Sequence, residues 1–204
     1  MMNKPNVSNL EKETFDYHND YYQYTHFQNE MIMNLNQHNI EYKNCIFENT
    51  SMIESSIENS FFVDVIFKNC DLSNSVFRSC LFRRVHFMNC KLMGSDFSDS
   101  LFDDVFLQDC LCSFINLSYM KNKAVSFQGC DLRNGSIIEV NQKKTTYKEC
   151  CFYQCEVLHS SFYNIDLSTC DLQQIITTPH DIKGAIINEY QSSSLIHLLD
   201  IKVK

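Results

Sequence analysis

A five-residue period runs through most of this 204-residue chain and restricts the folds that it can adopt. Every fifth residue from Tyr42 to Leu172 gives twenty-seven positions, and only Asn122 and Gln142 among them are polar. A smaller residue, such as Cys70, stands two positions before each centre. Neither the 3.6-residue period of a helix nor the two-residue period of a strand fits this pattern. A chain that turns a corner every five residues does fit, and four corners close a square coil in which residues twenty apart stack.

This pattern resembles the pentapeptide-repeat family, which has Leu or Phe at the repeat centre and a small residue two positions earlier. The resemblance implies an all-β fold, a right-handed quadrilateral parallel β-helix, over about two thirds of the chain in one register without inserted loops. Stacked coils repeat at about 4.8 Å, so roughly seven coils would make a rod of about 32 Å. Such a solenoid is held by contacts between neighbouring coils and needs its ends covered.

The chain divides into three predicted segments. Residues 1–16 are polar throughout and are expected to form a mobile N-terminal tail. Residues 17–176 are expected to form the β-helix, beginning with one or two degenerate coils that act as a cap. Within it, the face that carries Asn122 and Gln142 is expected to bulge, either as a simple irregularity or as a recognition feature.

Residues 177–204 are predicted to contain a linker, a short α-helix and a short strand over residues 201–203. Asn188 and Gln191 have the spacing of a capping box, which favours a helix start there. A helix this short is marginal on its own, so it must dock against another surface. Its broad apolar face contains Tyr190, Leu195, Ile196, Leu198 and Leu199.

The eleven cysteines follow the same five-residue period. Nine of them occupy the small inward position, Cys112 is a repeat centre, and only Cys151 is expected to face outward. Parallel side chains stacked about 4.8 Å apart suit neither disulfide geometry nor the tetrahedral convergence that zinc requires. We therefore expect reduced thiols that pack in the core, with no metal and no cofactor.

Composition and motifs argue against several classes of function. A net charge of -8 disfavours the basic surface that nucleic-acid binding requires. The first twenty residues lack the apolar core of a signal peptide, and no run approaches the length of a membrane span, so a cytoplasmic protein is expected. The sequence also lacks a phosphate-binding glycine loop, a nucleophile elbow and a convergent pair of carboxylates. An enzyme acting on a small-molecule substrate is therefore not expected.

Charge differs strongly between the faces of the predicted coil. Within residues 41–184, the face centred on Phe62, Phe82 and Phe102 carries eight basic and five acidic residues, and the other three faces together carry five basic and thirteen acidic residues. The candidate partner-binding residues are acidic: Glu58, Asp96, Asp99, Asp103, Asp104, Asp109, Glu139 and Glu156. These carboxylates either are ordinary solvated charges of an acidic protein or form a duplex-like surface for a protein that binds DNA.

The C-terminal run GAIINEYQSSSLIHLLDIKV is similar to the ending of the Qnr group of pentapeptide-repeat proteins, and NLSY at residues 116–119 also resembles that group. The resemblance implies a DNA-mimicking protein that binds DNA gyrase or topoisomerase IV and counters quinolones. It also implies a homodimer formed by the apolar face of the C-terminal helix, from Tyr190 to Leu199. One departure is Asp200, which stands where Gly usually follows the helix. The alternative is a scaffold for another partner, or resistance to another gyrase-directed toxin.

Overall fold

Residues 2–142 and 144–199 are described in the computed structural model, where the chain forms a parallel β-solenoid of about eight coils. The predicted register is confirmed, because paired residues stand twenty positions apart, as Phe62 pairs with Phe82 and Phe82 with Phe102. Coiling begins before Tyr42, since Tyr22 already pairs with it, within the range of residues 17–176 given for the β-helix above. The all-β quadrilateral helix is confirmed as the fold.

Four flat faces follow one another around each coil, and we number them by their inward-pointing centres. Their centres in the middle of the solenoid are Phe62, Phe82 and Phe102 for face 1; Phe67, Phe87 and Leu107 for face 2; Leu72, Leu92 and Cys112 for face 3; and Phe77, Phe97 and Leu117 for face 4. All twelve side chains are buried.

Short strands and three short helical segments make up the regular structure. The strands are β1 Glu11–Lys12, β2 Tyr21–Gln23, β3 Thr25–Gln28, β4 Asn36–His38, β5 Glu41–Glu48, β6 Ser56–Glu58, β7 Phe61–Lys68, β8 Leu81–Met88, β9 Leu101–Gln108, β10 Lys121–Asn122, β11 Val125–Gln128, β12 Ser136–Ile138, β13 Thr145–Lys148, β14 Glu156–Leu158 and β15 Ile176–Thr177. The helices are α1 Pro179–Ile182, α2 Gln191–Leu195 and a 3-10 helix at Ile196–Leu199.

Strand pairing is strongest on faces 1 and 2, which share one ten-stranded parallel sheet. The eight-residue strands β5, β7, β8 and β9 continue around the corner between these two faces. Face 4 contains the three-stranded sheet β12-β14-β15 and the two-stranded sheet β4-β6. Face 3 is joined by isolated bridges, such as the one between Asp71 and Lys91. Successive coils are thus bonded to each other on all four faces.

Aromatic rings stack along the core because the same position of successive coils carries the same type of side chain. On face 1 the ring centroids of Phe62 and Phe82 lie 4.6 Å apart, and their planes differ by 2°. On face 2 the rings of Phe67 and Phe87 lie 4.9 Å apart. Such offset stacks add to the free energy gained by burying the rings.

Many of the small inward residues satisfy their own polar atoms by bonding to the backbone of the preceding coil, although the Ser55 hydroxyl has no such partner. The hydroxyl of Ser95 donates to the carbonyl of Leu72 at 2.8 Å, and the thiol of Cys70 donates to the carbonyl of Phe47 at 3.3 Å. A buried polar atom without a partner is costly. Ser, Thr and Cys therefore suit this position because they are small and can donate.

The corners of the coil are made by residues with positive φ, two positions after each centre. Asn44, Asn69 and Asn89 have φ of 51°, 54° and 51°. Asn and Asp tolerate this left-handed conformation better than other residues with a side chain. This explains why Asn and Asp recur at the corners.

The irregular face at Asn122 and Gln142 keeps its register but loses strand continuity. Asn122 still pairs with Phe102, yet β10 ends there, and the corner residue Ala124 lacks positive φ. Gln142 is buried and donates from Nε2 to the carbonyl of Ser160 at 2.9 Å. The predicted bulge is therefore a local break in a strand within an unbroken coil.

Residues outside the regular repeat cover both ends of the solenoid. At the first coil, Phe15 is buried and its ring lies 5.7 Å from that of Phe27, whereas Tyr17, which the period places inward, is 47% exposed. At the last coil, the Gln191 amide donates to the carbonyls of Leu167 and Cys170 at 2.8 and 2.6 Å. Backbone carbonyls of the terminal coil are thereby satisfied.

The predicted capping box is confirmed at the start of the C-terminal helix. The backbone N–H of Asn188 donates to Oε1 of Gln191 at 2.7 Å, and the backbone N–H of Gln191 donates to Oδ1 of Asn188 at 3.1 Å. The predicted strand at residues 201–203 lies outside the described residues. Over residues 2–142 and 144–199, no helix is long and apolar enough to span a membrane.

Candidate partner-binding surface

Five of the eight candidate acidic residues lie together on face 4 or on its corner with face 1. Asp96 and Glu156 precede the centres Phe97 and Val157, and Glu58 follows the centre Ile57. Asp99 and Glu139 occupy the corner and have φ of 60° and 54°. The coil thus brings residues that are up to 98 positions apart in sequence onto one edge of the rod.

Four of these carboxylates are free of ion pairs within the described part of the chain: Glu58, Asp99, Glu139 and Glu156. Asp99 and Glu139 are exposed, and Glu156 is half-buried. Glu58 accepts a hydrogen bond from Ser56 Oγ at 3.0 Å. These side chains present negative charge to solvent from fixed backbone positions.

Asp96 has a different environment, because the residue is only 8% exposed and its carboxylate accepts three hydrogen bonds. It accepts from Arg78 Nε at 2.6 Å, from the backbone N–H of Ser98 at 2.9 Å and from Asn116 Nδ2 at 3.0 Å. Burial alone would raise the pKa of Asp96, but the bonds from Ser98 and Arg78 outweigh it and hold this pKa below its ordinary value. The Asp96 carboxylate therefore stabilises the fold as well as contributing negative charge to face 4.

Asp103 and Asp104 lie on the neighbouring face 1, among basic residues. Asp103 is bonded to Arg83 Nε at 3.2 Å and lies 3.5 Å from Lys123 Nζ. Asp104 accepts from Asn3 Nδ2 at 2.6 Å. These two residues are consequently partly neutralised or covered, unlike the free carboxylates of face 4.

Asp109 is separated from the other candidates, because it lies at the corner between faces 2 and 3, diagonally across the coil from Asp99. It accepts a hydrogen bond from Gln108 Nε2 at 3.1 Å. A flat partner that contacts face 4 cannot reach this side chain at the same time.

In the middle coils, the basic residues of the predicted basic face are paired with acidic residues of the same face. Arg84 binds Asp64 through two hydrogen bonds, Nε to Oδ1 at 2.7 Å and Nη2 to Oδ2 at 2.6 Å. Burial acts to raise the pKa of Asp64. The hydrogen bonds from Arg84 and from the backbone N–H of Asn6 lower this pKa by more, so the net shift is downward. Face 1 is therefore close to neutral in its middle coils.

The N-terminal residues make contacts that the sequence did not indicate. Asn6 donates its backbone N–H to Asp64 Oδ1 at 2.9 Å, and its carbonyl accepts from Asn44 Nδ2 at 2.5 Å. Asn3 reaches Asp104, two coils further along the same corner. Part of the predicted tail is thus bonded to the coil, and the mobility of the tail stays a prediction.

The thiols lie where the five-residue period places them. Ten of the eleven cysteines are buried, and Cys151 is half-exposed. Burial raises the pKa of Cys45 to about 11 and that of Cys80 to about 12, so these thiols stay protonated at neutral pH. Across the described ranges, no three His, Cys, Asp or Glu side chains converge as a metal site.

The predicted dimer residues have unequal environments in the C-terminal helix. Leu195 is buried in the core of its own chain, and Leu198 packs against that core from a half-buried position. Tyr190 is 80% exposed and Ile196 is half-exposed, so these two are available for a partner. The side chain of Leu199 lies outside the described residues.

A comparison with known protein families agrees with the five-residue repeat seen in the coil. Residues 61–137 match the family model described as a pentapeptide repeat region. The matched stretch of the chain is a pentapeptide-repeat region. It includes the best-formed coils, with strands β7, β8 and β9.

The chain is distantly similar to several solved structures. A trypsin-treated variant of QnrB1, a plasmid-mediated fluoroquinolone resistance protein, is 17% identical with a TM-score of 0.45, covering 90% of this chain and 98% of that chain. Full-length QnrB1 is 18% identical with a TM-score of 0.40, covering 89% and 100%. HetL from the cyanobacterium Nostoc sp. strain PCC 7120 is 13% identical with a TM-score of 0.22, covering 83% and 85%. No curated protein matches the chain.

Proposed function

We propose that this pentapeptide-repeat protein binds DNA gyrase or topoisomerase IV through the carboxylates of face 4 and thereby protects these enzymes from quinolones. The observation that carries the proposal is a row of unpaired carboxylates, Glu58, Asp99, Glu139 and Glu156, on a face whose single arginine is already bonded to Asp96. The Qnr-like C-terminal run supports the choice of partner.

The spacing of these carboxylates determines how closely face 4 can imitate the phosphate charges of a DNA duplex. Glu58 and Glu156 lie about five coils apart, which is about 24 Å at ~4.8 Å per coil. A duplex of that length carries about fourteen phosphate charges. The four free carboxylates of face 4 are far fewer than the phosphate charges of such a duplex. Its affinity is proposed to depend on carboxylates held in fixed positions, because every coil is hydrogen-bonded to the next.

A charge-neutralising triple variant tests the proposal. Asp99→Asn, Glu139→Gln and Glu156→Gln remove three exposed or half-exposed carboxylates of face 4. A matched control, Glu54→Gln, Glu149→Gln and Glu189→Gln, removes three exposed carboxylates elsewhere and changes the net charge equally. The assay is supercoiling by purified gyrase with and without a fluoroquinolone, over a titration of each protein, together with competition by duplex DNA.

The wild type and the control are expected to restore supercoiling in the presence of the drug and to compete with duplex DNA. The face 4 variant is expected to need at least tenfold more protein for the same effect. Equal activity of the two triple variants would contradict the assignment to face 4. A wild type that neither binds nor protects either topoisomerase would favour the alternative of a scaffold for another partner.

We also propose a homodimer through the C-terminal helix, with Tyr190 and Ile196 facing the partner and Leu195 fixing the helix to its own coil. Tyr190→Asp is expected to give a monomer in sedimentation velocity. Phe114→Asp is the control, because Phe114 is 64% exposed at a corner with φ of 62°, a conformation that Asp tolerates. A Tyr190→Asp variant that sediments like the wild type would contradict this interface.

A further inference from the structure

Residues 2–7, which we call the strap, lie along the corner between faces 1 and 2. Asn6 is bonded to residues of two successive coils, Asn44 and Asp64, and Asn3 is bonded to Asp104, two coils beyond Asp64. Two coils span about 10 Å at the inter-strand spacing, and three extended residues reach the same distance. The strap is therefore extended and runs against the direction of coiling.

The strap covers charged groups that belong to the coil. Asp64 is bonded to Arg84, and the strap N–H of Asn6 completes the bonding of its Oδ1. Asp104 has no ion pair within residues 2–142 and 144–199, and Asn3 is bonded to it at 2.6 Å. The half-buried state of Asp104 thus depends on an element outside the coil.

The strap is weakly held compared with the coil that it covers. Asn3, Lys4 and Asn6 are exposed, and the apolar residues Met2 and Val7 are only half-buried. The strap belongs to no β-strand, unlike residues 11–12 further along. Its three hydrogen bonds must offset the conformational entropy lost by ordering six residues. These few bonds leave little margin over that cost, so a modest perturbation can release the strap.

We propose that the strap is a releasable cover of Asp104, so that this corner of the protein exists in a covered and an uncovered state. In the covered state Asn3 occupies the carboxylate. In the uncovered state Asp104 becomes an unpaired surface charge at the corner between faces 1 and 2, across face 1 from the free carboxylates of face 4. The consequence for partner binding rests on the proposed function, whereas the two states of the corner do not.

Carboxylate footprinting tests the cover without any partner. The full-length protein is treated with a carbodiimide and glycine ethyl ester, and the rate of modification of each carboxylate is read by mass spectrometry. Asn44→Gly removes a bond to the strap, and Asn49→Gly is the matched control. Both residues sit at corners with positive φ, 51° and 52°, which Gly adopts freely. Asn3→Ala, a change within the exposed strap itself, guards against misfolding at the buried Asn44.

Modification of Asp104 is expected to be at least threefold faster in Asn44→Gly and Asn3→Ala than in the wild type. The rate should be unchanged in Asn49→Gly, and Asp99 should react equally in all four proteins. A wild-type Asp104 that reacts as fast as in the two strap variants would overturn the proposal.

Gyrase affinity then separates this inference from the proposed function. If the wild type binds gyrase, Asn3→Ala is expected to bind at least twofold more tightly. Unchanged affinity, despite faster footprinting of Asp104, would refute control of binding by the strap and leave the proposed function intact. If the wild type does not bind gyrase, the proposed function fails, and the footprinting rates alone decide whether the cover exists.

Discussion

Asp96 and Asp99 stand three positions apart on the same face, yet their replacement by Asn is expected to have very different effects on stability. Asp96 accepts hydrogen bonds from Arg78, Ser98 and Asn116 and is 8% exposed. Asp99 is exposed and has no ion pair in the described structure. An amide at position 96 keeps the size of the side chain but loses its charge, and its NH₂ group cannot accept from Arg78 or Asn116.

The magnitude follows from the bonds that are lost. A hydrogen bond to a charged group contributes about 1.5–3 kcal/mol, and a neutral one about 1 kcal/mol. The side chain of Arg78 is 54% exposed, so solvent screens its pair with Asp96 and the lower end of that range applies. Asp96→Asn is therefore expected to lower the free energy of unfolding by about 2 kcal/mol. Asp99→Asn should change it by less than about 0.5 kcal/mol, because Asn also tolerates positive φ.

Urea unfolding followed by far-UV circular dichroism measures both variants, and the pH dependence checks the cause. The folded pKa of Asp96 lies below its ordinary value, since the hydrogen bonds outweigh the effect of burial. The stability that this charge contributes is present above the unfolded pKa of about 3.9 and is lost as pH falls through the folded pKa. The cost of Asp96→Asn should therefore shrink in acid. Equal costs at positions 96 and 99, or a cost at position 96 that is independent of pH, would refute this reasoning.

Three further predictions concern the core, the thiols and the corners. Phe82→Ala, which removes a fully buried ring stacked on Phe62, is expected to lower the free energy of unfolding by about 3–5 kcal/mol in the same urea assay, and a loss below 1 kcal/mol would contradict the stacked core. A thiol reagent should modify one cysteine rapidly in the native protein, and Cys151→Ser should abolish that fast phase; fast reaction of a second thiol would show that the inward thiols are accessible. Asn69→Ala is expected to cost about 1–2 kcal/mol because its φ is 54°, whereas Asn69→Gly should cost less; the reverse order would refute the role of the corner conformation.

The architecture of the coil was predictable because the sequence pattern that specifies it is local and is repeated every five residues. Each five-residue unit specifies one inward centre and one small inward residue, so no long-range information is needed to obtain a register of twenty. Phe62, Phe82 and Phe102 are buried in one column as predicted. The thiols are buried for the same reason, since Cys is one of the few residues small enough for the inner position.

Contacts outside the repeat were not predictable from the period. The burial of Phe15 and the bond between Asn6 and Asp64 depend on where a non-repetitive segment meets the finished coil. The separation of 58 residues between Asn6 and Asp64 matches no multiple of the period. Similarly, Leu195 lies on an apolar helix face that suits a dimer, and only the structure shows that it packs into its own chain.

The neutralisation of face 1 could have been inferred from the sequence. Residues twenty apart are stacked neighbours, so opposite charges with that spacing are candidate ion pairs. Five observed pairs obey this rule: Glu48 with Lys68, Asp64 with Arg84, Asp71 with Lys91, and Asp103 with both Arg83 and Lys123. A count of charges by face overlooks this pairing and therefore overestimates the basic character of face 1.

The same rule explains why face 4 remains the best candidate for binding. Asp99 and Glu139 have Ser79, Tyr119 and His159 as stacked neighbours at their corner, and none of these is a lysine or arginine. Their charges are therefore not cancelled by the adjacent coils, whereas the carboxylate of Asp103 is. In a solenoid of this kind the charge available to a partner is what remains after pairing between neighbouring coils, and on face 4 that remainder includes Asp99 and Glu139.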